Sequence, residues 1–124
     1  MTVPELAPDV RRFILTSVPS VPYLEAVLLL RAEPEQAWEA AHLARRLYVP
    51  ERTAVELLAQ LRDSGVARPD GDAVQYAPEP ALAAVLDRLA QAYATDLVAV
   101  TGLIHSRLDR RAQQFADAFR FRKD

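Results

Sequence analysis

Apolar residues recur at helical spacing through the first half of the chain. Val10, Phe13, Ile14 and Ser17 fall at i, i+3, i+4 and i+7, which predicts a short helix over residues 9–18 with Asp9 placed to cap it. Residues 20–32 predict a second helix. Leu24, Val27, Leu28 and Arg31 keep the period, and Leu29 and Leu30 make the segment apolar nearly all round, as a central helix would be. Ser20 is placed as its N-cap, and Pro22 is tolerated in a first turn. Glu33-Pro34 ends it. Residues 35–47 read as a third helix with Trp38, Ala41, Leu43 and Leu47 inward and Ala44 as a small contact. After the break Tyr48-Val49-Pro50, residues 51–64 read as a fourth. Ala54, Leu57, Leu58 and Leu61 are its apolar set, and Gly65 stops it.

The period then changes. Residues 66–68 and 73–77 are strand-like, and Pro69-Asp70-Gly71-Asp72 between them is turn chemistry, so they predict one small hairpin closed by Pro78 and Pro80. From Glu79 onward Leu82, Leu86, Leu89, Tyr93, Leu97, Val100, Ile104, Leu108, Ala112, Phe115 and Phe119 are spaced by three or four. That spacing predicts one long helix of ~50 Å at about 1.5 Å per residue. Gly102 within it implies a bend or a close backbone approach. So long a stripe exceeds what a small domain covers, and pairing with a second copy would bury it symmetrically. Leu86, Leu89, Tyr93, Leu97, Val100 and Ile104 are the expected dimer contacts. The chain therefore divides into an arm and short helix (1–19), a central unit (20–78), and a long helix with a basic tail (79–124).

Composition narrows the chemistry. With 124 residues, 51% of them hydrophobic, the chain is one ordinary domain with a core. It has no cysteine, which removes disulfides, thiolate metal sites and cysteine nucleophiles, and its two histidines sit in no carboxylate cluster. No metal and no cofactor is expected. His105 and Ser106 are adjacent on a helix and point apart, so they form no relay. His42, beside apolar positions, reads as a partly buried structural residue. No glycine-rich phosphate loop is present, and an enzyme is not expected. The longest apolar run, residues 81–86, is far short of a membrane span, and the first residues lack a leader pattern. A soluble cytoplasmic protein is the expectation.

The informative feature is the order helix, tight turn, helix, hairpin. Leu43-Ala44-Arg45-Arg46-Leu47-Tyr48-Val49-Pro50, then Ala54, Leu58 and Leu61, Ser64-Gly65-Val66 and Tyr76 carry it. Over residues 20–77 this resembles the winged helix-turn-helix of bacterial transcriptional regulators, in the style of the MarR-like group, and the terminal helix resembles that group's dimerisation helices. The resemblance implies a mainly α fold with a small β-hairpin wing, and a homodimer that binds double-stranded DNA. Two departures stand out. Tyr48 occupies the place where that group usually has glycine, and Pro50 stands where a serine or threonine cap is common. On the recognition helix Arg52, Thr53, Glu56 and Gln60 are the groove candidates. Arg45, Arg46 and Arg68 are the backbone candidates, with Gln75 on the wing.

Charge opposes that reading locally. Residues 20–77 hold six arginines and nine acids, net −3, and the hairpin tip is Asp70-Gly71-Asp72. DNA affinity depends heavily on phosphate neutralisation. The competing reading is a protein-interaction module with an acidic recognition face. A weaker one is a ligand-sensing regulator with a pocket lined by Trp38, Tyr48 or Tyr93. The net charge of −2 averages a body at −5 (residues 1–104) and an end at +3 (residues 105–124). The tail of Phe115, Phe119, Arg120, Phe121, Arg122 and Lys123 is a candidate site for a protein partner, or for packing on Val10, Phe13 and Ile14 of a second copy.

Overall fold

Each run of the chain takes the place that buries its apolar side. The computed structural model describes residues 6–122. Helix α1 (Pro8–Ser17) buries Val10, Phe13 and Ile14, as its spacing predicts. Its N-cap is Ala7, so Asp9 lies in the first turn rather than at the cap. Helix α2 (Val21–Ala32) is capped by Ser20, whose Oγ accepts the Tyr23 N–H at 3.2 Å. It buries Tyr23, Leu24, Ala26, Val27 and Leu30 and stands at the centre of the molecule.

The helix expected over residues 35–47 is divided. Strand β1 (Ala37–Trp38) precedes helix α3 (Ala40–Leu47). The cause lies far along the chain: Ala37 and Trp38 pair antiparallel with Gln75 and Val74, a partnership that the local spacing of residues 35–47 does not carry. Helix α4 (Glu51–Asp63) buries Ala54, Leu57, Leu58 and Leu61 as expected. It ends in a Schellman turn, with the Val66 N–H on the Leu61 carbonyl at 3.0 Å, the Gly65 N–H on that of Arg62 at 3.2 Å, and Gly65 at φ 82°. Strands β2 (Ala67–Asp70) and β3 (Ala73–Tyr76) form the hairpin over a two-residue Gly71–Asp72 loop, tighter than the sequence implied. With β1 they make a three-stranded antiparallel sheet in the order β1-β3-β2.

The long terminal helix is two helices, α5 (Pro80–Thr95) and α6 (Leu97–Arg122). The break is at Asp96, whose carboxylate accepts the Ala99 N–H at 3.1 Å and so caps α6. Apolar spacing of three and four continues through Asp96, so the periodicity hides the break. Gly102 is neither at the break nor in a close approach, since a Cβ there would meet nothing within 4 Å. The reversal lets α5 and α6 both pack on α1. Leu86, Leu89, Val100 and Ile104 are thereby fully buried in the chain's own core and are not free to meet a second copy. The expectation of these four as dimer contacts is corrected accordingly. The partner role expected of Phe115 and of residues 119–123 falls on side chains outside the described residues.

Polar ties hold the layers in register. Tyr23 Oη and Ser64 Oγ, 2.8 Å apart, join α2 to the end of α4. Arg31 meets Asp87 at 2.9 Å, and Arg88 on α5 grips Asp9 on α1. Tyr76 Oη is buried without a hydrogen-bond partner among the described residues. Among those residues no helix is long and apolar enough to cross a membrane.

The Arg88 hydrogen bonds hold the Asp9 carboxyl below its ordinary value of 3.8, against a smaller opposing effect of desolvation. A depressed folded-state pKa stabilises above the unfolded value, and the contribution is lost as pH falls through the folded one. Melting temperatures of wild type and Arg88→Ala should therefore differ at pH 6. They should converge as pH falls below about 4, into the range where Asp9 is protonated in both states.

Candidate nucleic-acid interface

The candidate surface is built by α3, the turn after it, α4 and the hairpin. Helices α3 and α4 pack closely through Leu43, Ala44, Ala54 and Leu58, which leaves the opposite side of α4 to solvent. Glu51, Arg52, Val55, Glu56, Gln60, Arg62 and Asp63 are exposed there. Thr53 is half-buried. Val55, 54% exposed, shares this face with the groove candidates, although it is not one of them. The signal was available, because position 55 falls outside the inward set 54, 57, 58 and 61. Beside it, α4 and the hairpin flank a shallow groove lined by Val55, Ala59, Arg62, Pro69 and Asp72.

The three candidate arginines and one glutamine off α4 divide into two groups. Arg46 is already engaged within the fold. Its guanidinium meets Glu33 at 2.9 Å and lies 5.5 Å from the centre of the Trp38 ring. Gln75 is engaged too, since its side-chain amide donates to the Pro34 carbonyl at 3.3 Å. Arg45 on α3 and Arg68 on β2 are exposed and form no ion pair among the described residues, and the same holds for Arg52 at the start of α4. Gln60 is exposed as well. The pairing of Arg52 with Glu56 that their i, i+4 spacing permits is not formed; the arginine of α4 that does pair is Arg62, 3.5 Å from Asp63.

Trp38 anchors this arrangement from beneath. It is fully buried, stacks on His42 with ring centres 4.5 Å apart, and leaves its Nε1 without a hydrogen-bond partner among the described residues. His42 is the structural histidine its neighbours implied. Tyr48 lies at the other extreme, 94% exposed.

Local backbone explains both departures from the usual motif. Tyr48 occupies the left-handed position that ends α3, with φ 57° and ψ 45°. The Val49 N–H reaches back to the Ala44 carbonyl at 3.1 Å, which completes a Schellman turn. That position favours glycine, and a larger L residue there costs about 1 kcal/mol. Pro50 is the N-cap of α4 and supplies no side-chain cap.

The two groups of arginines are separable by experiment. Arg46→Ala should lower stability by about 1 kcal/mol, because it removes an ion pair and the guanidinium cover of Trp38. Arg45→Ala should leave the urea midpoint unchanged, and a loss equal to that of Arg46→Ala would contradict the division. No family model, curated protein or solved structure matches this chain.

Proposed function

We propose that the chain is a winged helix-turn-helix protein that binds double-stranded DNA in transcriptional control, acts as a homodimer and has no catalytic activity. The order α2, β1, α3, α4, β2, β3, with β1 closing onto β3, supports the winged-helix reading. In it α4 is the recognition helix and β2–β3 the wing. The observation that carries the reading is the set of exposed cations without an ion pair among the described residues on three consecutive parts of one unit: Arg45 before the turn, Arg52 after it and Arg68 on the hairpin. Arg45 and Arg68 hold phosphates. Arg52 reads guanine or phosphate, Glu56 accepts from cytosine, Gln60 pairs with adenine, and Val55 meets a thymine methyl.

One observation favours a second reading, in which the same face binds a protein. Val55 is exposed in a groove rimmed by Asp72, next to the acidic hairpin tip. Salt dependence decides between the two. Fluorescence anisotropy with a labelled mixed-sequence duplex should show binding at low salt. The slope of log K against log salt should be about −5.4 for a dimer with three phosphate contacts from each copy, and Arg52→Ala and Arg68→Ala should each weaken binding. No binding at 20 mM salt would refute the DNA reading in favour of the protein module.

The homodimer of this reading uses the apolar residues of α6 that the core leaves outside, Leu97, Val98 and Leu108. Light scattering at micromolar concentration should report twice the 13.8 kDa chain mass. Val98→Asp, at a position 79% exposed, should return the monomer while keeping the wild-type far-UV helical spectrum. A monomeric wild type would refute the dimer.

A further inference from the structure

The turn between α3 and α4 presents a tyrosine from which the chain itself derives nothing. Tyr48 is almost wholly exposed, so packing does not offset its left-handed backbone at φ 57°. Its hydroxyl makes no hydrogen bond and its ring no aromatic or cation contact among the described residues. A glycine would occupy this position without strain and leave the fold unchanged. A strained residue with no internal partner at the tip of a turn points outward, to something the turn meets.

Its neighbours indicate the chemistry of that partner. Arg45, three residues earlier, and Arg52, four residues later, are both exposed and both without an ion pair among the described residues. Glu51 is exposed on the first turn of α4 and forms no ion pair with Arg52 among the described residues. Two exposed guanidinium groups that flank a phenol along the turn, neither in an ion pair among the described residues, suit a run of phosphates. Arginine supplies charge and a forked pair of donors, and the phenol supplies a donor that carries no charge.

We propose that Tyr48 donates a hydrogen bond through Oη to a phosphate oxygen of duplex DNA, between phosphates held by Arg45 and Arg52. This inference rests on the DNA-binding reading, and it gives the residue at the usual glycine position a binding role. The contact adds affinity without releasing a counterion, because the donor is uncharged. It therefore leaves a signature that an arginine contact does not.

The test compares Tyr48→Gly, Tyr48→Phe and Arg45→Ala on the full chain, with a labelled duplex of mixed sequence titrated at several salt concentrations. Tyr48→Gly should melt at a higher temperature than wild type yet bind about tenfold more weakly. Tyr48→Phe should lose the same affinity, since it removes only the hydroxyl. Both should keep the wild-type salt slope, whereas Arg45→Ala should make it shallower by about 1.8, one phosphate contact being lost from each copy of the dimer. Wild-type affinity in either Tyr48 variant overturns the inference and leaves the DNA reading standing, provided Arg52→Ala still weakens binding. A change of salt slope in Tyr48→Phe likewise overturns it. Failure of the wild type to bind at low salt overturns both.

Discussion

The burial of Trp38 is the constraint on which the rest of the central unit depends. A two-residue strand has little stability of its own. Here it is fixed because one of its two side chains is the largest fully buried group in the molecule. Burying that ring contributes several kcal/mol, more than enough to offset an unpaired Nε1 donor at about 1–3 kcal/mol. The position of the ring then determines what surrounds it. β1 must run beside β3, so β3 becomes the central strand of a three-stranded sheet with β1 and β2 at its edges. α3 must begin immediately after the strand, so His42 stacks on the ring and Arg46, one turn on, covers it. Arg46 in turn reaches Glu33 at the end of α2. Through one side chain the end of α2, the sheet and α3 are held in a single arrangement, and α4 takes its angle from α3.

A second constraint shapes the terminal half. α5 and α6 have apolar faces too long for one side of the central unit, and the chain meets this by reversing at Asp96. At the break the Asp96 N–H still bonds to the Ala92 carbonyl of α5 and its carboxylate accepts the Ala99 N–H of α6, so the break costs little backbone hydrogen bonding. Once folded back, the faces around Leu86 and Leu89 and around Val100 and Ile104 converge with α1 on one core. Beyond Ile104 helix α6 continues for 18 residues, or about 27 Å.

Local chemistry made much of this legible in advance. The inward sets of α1 and α4, the cap at Ser20, the stop at Gly65 and the hairpin around Gly71 all follow from interactions within a few residues, which sequence spacing encodes. What was illegible depended on distant partners. β1 is a strand only because Val74 and Gln75 lie opposite it. The break at Asp96 is hidden because a cap residue in a run of correct periodicity resembles an ordinary exposed position. The reading of Gly102 failed for the complementary reason: glycine permits a bend without requiring one. For the candidate surface, spacing places Arg45, Arg46 and Arg68 alike as backbone candidates, with Gln75 beside them on the wing. Only the geometry separates Arg46 and Gln75, which are engaged within the fold, from Arg45, Arg52 and Arg68, which are not.

That separation changes how the charge of the central unit should be weighed. A net of −3 over residues 20–77 argues against a polyanion if the charges act as an average. They do not act so at contact distance, because exposed charges are screened within about 8–10 Å at ordinary ionic strength. Several of the nine acids lie away from α4. Glu33 is neutralised by Arg46, and Asp63 by Arg62, at the far end of the helix from Arg52. The acids that bear directly on a ligand at the turn are Glu51 and Glu56, set against Arg45 and Arg52. At the hairpin tip Asp70 and Asp72 outnumber Arg68. A phosphate backbone would therefore be met more favourably at the turn than at the tip. The same distribution that makes the hairpin a poor probe of a groove makes the α3–α4 turn, with its exposed Tyr48, the stronger point of contact.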